Sequence, residues 1–241
     1  MNYLIWMIIC FGLIGTLLFF SLKFKWKRNV AINVMAGIAF LSEAVKLLNR
    51  IREITNDSGR IIGGYIDAKA LPLHLCSILI FIFFYLALNP KKEGKRLVSF
   101  AVAVSLIGGL LGVLVATSGT SFTDISTYQS MLYHASIVWF ALYFIITKQV
   151  DLGLKAFITN CLVLFSLLVV MVWINGALHE YNTNFFFTVY PPVDNIPFLT
   201  TKYGWYVYFV HLIFTGLFCL GLLSLPYIII EIKNKKKINQ A

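Results

Sequence analysis

Residues 97–117, LVSFAVAVSLIGGLLGVLVAT, carry no charged side chain and follow a basic cluster of Lys91, Lys92, Lys95 and Arg96. A helix crossing the hydrocarbon of a bilayer needs about 20 mainly apolar residues, with its backbone groups satisfied internally. This stretch has that length and that composition. Working outward from it, comparable runs lie near 3–22, 30–48, 71–88, 128–147, 154–174 and 204–230. The reading is therefore all-α: one polytopic membrane domain over residues 1–241, a bundle of seven transmembrane helices.

Composition agrees. Of 241 residues, 59% are apolar and 12% charged, whereas soluble domains carry about 25% charged residues. Seven spans leave no length for a separate soluble domain. A net charge of +10 is compatible with nucleic-acid binding, but the basic residues come in short clusters between apolar runs. That pattern reads as orientation signal and contact with lipid phosphates, so neither nucleic acid nor a soluble partner is expected. Cys10, Cys76, Cys161 and Cys219 all fall inside apolar runs, which argues against a disulfide framework. The first run precedes its positive charges and shows no small-residue cleavage site, so it is expected to stay as the first helix.

The basic residues also set a direction. Those after helices 1, 3, 5 and 7 number 14 of the 20 Lys and Arg, and those after helices 2, 4 and 6 number 6. Basic residues concentrate on the cytoplasmic side, so the N-terminus is expected outside and the C-terminus inside a plasma membrane. On this reading the outer connections are the long ones: 49–70, 117–127 rich in Ser and Thr, and 175–203 with Pro191, Pro192 and Pro197. No inverted repeat of the kind common in transporters is visible. Gly108 and Gly112 form a Gly-x-x-x-Gly pair, a signal of close helix packing.

Polar groups inside the spans collect towards the outer side. His74 and Cys76 open helix 3. His134 lies about two turns into helix 5 and His211 at similar depth in helix 7, at about 1.5 Å rise per residue. Asn175 closes helix 6, with His179 and Glu180 just beyond, and Glu43 and Lys46 share one face of helix 2. Polar groups in hydrocarbon are costly unless paired or hydrated, so they usually face a cavity. Separate interhelical hydrogen bonds would explain them equally well one at a time; the shared layer points to an outward-opening cavity. A cysteine becomes a nucleophile when a base takes its proton, and Cys76 and His134 occupy matching depth on different helices. Several histidines are also metal ligands in many proteins, but no paired ligand motif is present and no metal or other cofactor is expected. Phosphate-binding loops and serine nucleophile elbows are absent. The Glu43–Lys46 pair is expected to be structural, and the aromatics at 185–187, 203, 205 and 206 to sit at headgroup level.

The residues also resemble a known family. Leu71-Pro72-Leu73-His74-Leu75-Cys76 is similar to the helix-opening signature of bacterial YwaF-like membrane proteins. Tyr133-His134, Asn175-Gly176, Asn184-Phe185-Phe186-Phe187 before Pro191-Pro192, and Tyr203-Gly204-Trp205-Tyr206 follow in that family's order. The likeness covers roughly residues 30–230. YwaF-like proteins are related to the transmembrane protein 164 family, which is assigned a phospholipid acyltransferase activity using a cysteine and a histidine. A more distant likeness runs to androgen-induced membrane hydrolases. The resemblance implies Cys76, or a neighbour, as nucleophile and His134 as base. In the animal branch the cysteine directly follows the helix-opening proline, where this chain has Leu73.

Two functions of different class follow. The first is a lipid acyltransferase or esterase at the outer leaflet. Cys76 and His134 would be its catalytic pair, His74, Asn175, Asn184 and His211 the binding or oxyanion groups, and a phospholipid or lysolipid its membrane partner. The second is a non-enzymatic transporter or sensor binding a small solute or lipid in the same cavity.

Overall fold

The computed structural model describes residues 2–90, 94–116, 119–193, 196 and 198–238. Lys91, Lys92, Thr117 and Pro197, used above, lie outside them, as do the side chains of Lys236 and Lys237. Seven α-helices run through the described residues: α1 (Asn2–Lys23), α2 (Arg28–Leu48), α3 (Leu75–Leu88), α4 (Lys95–Val115), α5 (Ile125–Ile146), α6 (Leu154–Ala177) and α7 (Trp205–Ile238). Six are long and apolar enough to cross a membrane; α3, with 14 residues, is the shorter one. The chain is a multi-pass membrane protein of helical architecture.

The bundle is organised around α4 and α5, which bury 56% and 61% of their spans, against 11% for α7. Small residues make this possible. On Gly109 a Cβ would come within 2.7 Å of Val138 and 3.0 Å of the His134 carbonyl, so only glycine lets α4 approach α5 this closely. The expected Gly108–Gly112 packing pair is thus joined by Gly109, which makes the tightest approach to the α5 backbone. Leu79, Phe83, Phe100, Ile137, Phe140 and Phe144 form the central core with α2, and Trp6, Cys10 and Ile14 of α1 close a second cluster on α4 and α5. Two buried ring-bearing side chains of this core find polar partners, which a low-dielectric surrounding favours. Trp139 Nε1 donates to Ser21 Oγ at 3.2 Å, and the Tyr143 hydroxyl donates to the Trp26 carbonyl.

Three local departures from the expected spans have physical causes. Helix 5 begins at Ile125 because Asp124 caps it, accepting from the Ser126 amide at 2.9 Å. Helix 7 continues past 230, supported by the Lys235–Glu231 pair at 2.7 Å one turn apart. The connection at 49–70 is a hairpin of β1 (Ile51–Thr55) and β2 (Ile61–Ile66), antiparallel with Ile51 opposite Ile66 and a bulge after Ile54. Its turn uses Gly59 at φ +77, and every strand residue is exposed.

Helix 3 is the departure that matters most for function. It opens at Leu75, not at 71. Pro72 fixes a tight turn in which the Leu73 amide donates to the Leu71 carbonyl at 2.8 Å, and His74 stays extended. Irregular backbone at membrane depth survives only where protein or a cavity covers it. Here Leu71, Leu73 and Leu75 pack against Leu168, Met171, Phe185 and Phe186.

Candidate functional site

Because α3 starts late, Cys76 stands in its first turn. The first intrahelical bond runs from the Ile78 amide to the His74 carbonyl at 2.9 Å, and no side chain caps this end. The amides of residues 75–77 are thus without intrahelical partners, beside the cysteine. Cys76 Sγ faces α4 at Gly108, where an added Cβ would sit 3.6 Å from the sulfur. From the other side, the Tyr133 hydroxyl donates to the Cys76 carbonyl at 2.7 Å. Tyr133 is buried, whereas Cys76 and His134 each keep part of their surface accessible.

His134 lies over the next glycine of the same α4 face. Its ring occupies the space a Cβ on Gly112 would need, with the ring Cγ and Nε2 2.5 Å from that position. Gly108 and Gly112 are one turn apart, so Cys76 and His134 abut neighbouring steps of one glycine-lined groove. Ring orientation is set from within α5: Nδ1 lies 2.7 Å from the Ser130 carbonyl. A carbonyl only accepts, so Nδ1 holds the proton and the neutral ring carries its lone pair on Nε2. Ser130 Oγ, at 3.3 Å from Nδ1, supports the same placement. This is the tautomer a general base needs.

A charged pair borders the groove. Lys46 Nζ is 2.6 Å from Glu43 Oε1 and donates to Ser77 Oγ at 3.1 Å, while Ser77 Oγ donates to Glu43 Oε2 at 3.4 Å. Both charged side chains are largely buried, 19% and 13% exposed. Ser77 follows Cys76 directly, so the pair braces the cysteine-bearing turn against α2. Lys46 lies within electrostatic reach of both His74 and Cys76, and His134 within reach of His74.

The remaining predicted residues serve other local purposes. Asn175 is buried and spends both ends of its amide on the segment after α6. Oδ1 accepts from the Phe185 amide at 3.0 Å; Nδ2 donates to the Phe185 carbonyl at 3.0 Å and to Thr188 Oγ1 at 2.8 Å. Asn184 does likewise, donating to the Tyr190 carbonyl at 2.8 Å and accepting from the Val189 amide at 3.0 Å. These bonds hold Phe186 and Phe187 at φ +56 and +55, a left-handed conformation that L residues rarely adopt. The segment presses Phe185 and Phe187 on His74, with ring centroids 5.3 and 5.8 Å apart.

His211 is tied to the Phe198 carbonyl at 2.7 Å, and the exposed His179 to the Gly176 carbonyl at 3.1 Å. The structure therefore groups Cys76, His134, His74, Glu43 and Lys46, and leaves His179 on a carbonyl of the last turn of α6 and His211 on a loop carbonyl. Among the described residues no three His, Cys, Asp or Glu side chains are arranged to hold a metal ion. Ser77, Ser130 and Gly112 had no site role in the sequence reading. The signals for two of them were present as the i,i+4 spacing of Ser130 and His134 and the adjacency of Ser77 to Cys76.

A family model described as the TMEM164 family matches residues 1–223. No curated protein and no solved structure matches the chain.

Proposed function

The chain belongs to the TMEM164 family, and from that premise we propose that it is a membrane-embedded lipid acyltransferase or esterase using Cys76 and His134. The observation that carries the reading is the shared groove: Cys76 Sγ against Gly108, and one turn on, His134 with Nδ1 fixed on the Ser130 carbonyl. His134 Nε2 takes the thiol proton of Cys76. The thiolate attacks the acyl carbonyl carbon of a phospholipid or fatty-acid ester, and the oxyanion that forms needs donors. The free amides of residues 75–77 stand nearest for that task. Asn175 and Asn184 are engaged in the 184–190 segment, and His74 on its aromatic neighbours. On collapse, His134 returns the proton to the departing alcohol oxygen and Cys76 holds the acyl group as a thioester. A lysolipid hydroxyl or water then attacks that thioester, its proton passing to His134, and the thiol is restored.

The basic-residue count supports an N-terminus outside and a C-terminus in the cytoplasm, which places this groove towards the outer leaflet of the plasma membrane. The test is purified protein in lipid nanodiscs with a phospholipid carrying a fluorescent acyl chain. The expected result is release of lysolipid and acyl mass on Cys76, lost in Cys76→Ala and much reduced in His134→Ala. Removal of Cys10, Cys161 and Cys219 together should leave it intact. Lipid retained by the protein with no acyl transfer and no lysolipid would overturn the enzyme and favour the transporter or sensor.

A further inference from the structure

Glu43 and Lys46 have no part in the acyl transfer described above, although they are charged side chains inside a span of the bundle. Such groups are costly in hydrocarbon and tend to mark functional sites. Stability does not explain them, since an apolar pair of similar volume is often as stable as a buried ion pair, or more so. Their placement offers another reason. Ser42, Lys46 and Asn49 follow at i, i+4 and i+7, so they share one face of α2, with Glu43 at its border. Two of them fasten α2 to α5: Ser42 Oγ accepts from Gln129 Nε2 at 2.7 Å, and Asn49 Nδ2 donates to Ser126 Oγ at 2.8 Å. Gln129 directly precedes Ser130, whose carbonyl holds the His134 ring. Lys46 lies between these two ties and crosses to α3 instead, donating to Ser77 Oγ at 3.1 Å.

The pair is also oriented. The ammonium acts electrostatically on Cys76 and His74, the carboxylate on Tyr133. The cationic end is thus the one turned to the cysteine-bearing turn. That turn also carries the amides of residues 75–77, which have no intrahelical partner, and helix starts favour negative charge. Among the described residues, the titratable groups around Cys76 are Lys46 and Glu43 of α2, His74 of its own turn, and Tyr133 and His134 of α5, while α4 presents Gly108. Of these, Lys46 carries positive charge before any proton moves.

We propose that Lys46 is a positioning residue for Cys76, its ammonium clasped by Glu43 and Ser77 so that positive charge stands beside the turn on which the thiolate forms. For its purpose this rests on the Cys76–His134 mechanism above. The thiol proton still passes to His134 Nε2 and the electron pair stays on sulfur; Lys46 gives up no proton. The test is the rate at which iodoacetamide, a small neutral reagent, alkylates Cys76 in the purified full chain at neutral pH, read at that residue by mass spectrometry. Lys46→Gln keeps a donor for Ser77 without the charge and should react about tenfold more slowly, since a nearby opposite charge changes the share of an ionised group by about that factor or more. Glu43→Gln combined with Lys46→Gln, which strands no carboxylate, should be slow as well. Lys46→Arg keeps the charge and should stay near wild type, a rescue that bracing through hydrogen bonds alone would not distinguish from Lys46→Gln. Equal rates in wild type and Lys46→Gln overturn the proposal, as does alkylation of Lys46→Arg as slow as that of Lys46→Gln. Alkylation needs no lipid, so the two readings fail separately. A chain that alkylates in the expected pattern and never forms an acyl thioester sinks the enzyme and leaves the role of Lys46 standing; acyl transfer with alkylation indifferent to Lys46 does the reverse.

Discussion

Gly112→Ala is the sharpest probe of the groove, because its neighbour supplies the control. A Cβ on Gly112 falls within the His134 ring, 2.5 Å from Cγ and Nε2. The ring has to swing out and leave the Ser130 carbonyl that holds it at 2.7 Å. Overpacking of this kind costs about 1–3 kcal/mol, and for a chain of this size each kcal/mol lowers Tm by about 2–4 °C. On the proposed mechanism the functional loss is larger than the stability loss, since displacing His134 as the base forfeits about 10²–10⁴ in rate. Gly108→Ala adds the same methyl one turn away. There the Cβ meets Cys76 Sγ at 3.6 Å, an ordinary contact, so Tm and reactivity should stay near wild type. The assay is the rate of Cys76 acylation by a thiol-directed acyl probe, read by mass spectrometry beside a thermal melt. If the two alanines behave alike in both measurements, the ring does not sit where it is described and the paired groove fails.

Other outcomes follow from single contacts. Asn175→Ala removes three hydrogen bonds from a buried turn and should cost about 2–4 kcal/mol, since each unmet buried partner costs about 1–3 kcal/mol; Asn175→Asp, which lacks the donor, should not rescue the melt. Tyr133→Phe loses one bond to the Cys76 carbonyl, so a stability loss of about 1 kcal/mol with Cys76 labelling retained is expected. Glu43→Gln strands Lys46 in a mostly buried position and should destabilise more than Glu43→Leu combined with Lys46→Met, because an orphaned buried charge costs more than an apolar pair. Replacing residues 52–65 by a short Gly-Ser linker should leave Tm unchanged, since the hairpin strands bury nothing and Ile51 and Ile66 already face each other.

How much of this was legible beforehand differs between spans and site. Hydrocarbon imposes length and polarity on every crossing helix, so α4 at Lys95–Val115 and α6 at Leu154–Ala177 lie within a few residues of the runs read from the sequence. The hairpin was missed because its strands are short, β1 carries Arg52 and Glu53, and β2 is interrupted by Gly63 and Gly64, although Asn56 and Gly59 mark its turn. Depth along a helix follows from counting residues, and it brought Cys76, His134 and His74 to one level. Rotation about each helix does not follow from counting. It decided that His211 meets the Phe198 carbonyl and that Asn175 holds the 185–188 segment. Gly112 could not be read as a seat for His134 because that needs the packing angle of α4 on α5.

The brevity of α3 has a consequence for the bilayer itself. Fourteen residues rise about 21 Å, roughly 9 Å short of a hydrocarbon layer about 30 Å deep. The shortfall sits at the cysteine end, where residues 71–74 carry the chain onward without helical bonding under the cover of Leu168, Met171, Phe185 and Phe186. Cys76 is thereby sunk beneath the headgroups by the length of that uncoiled stretch. On the proposed function, a lipid ester has to descend as far to meet the thiol, and a thicker host membrane deepens the descent.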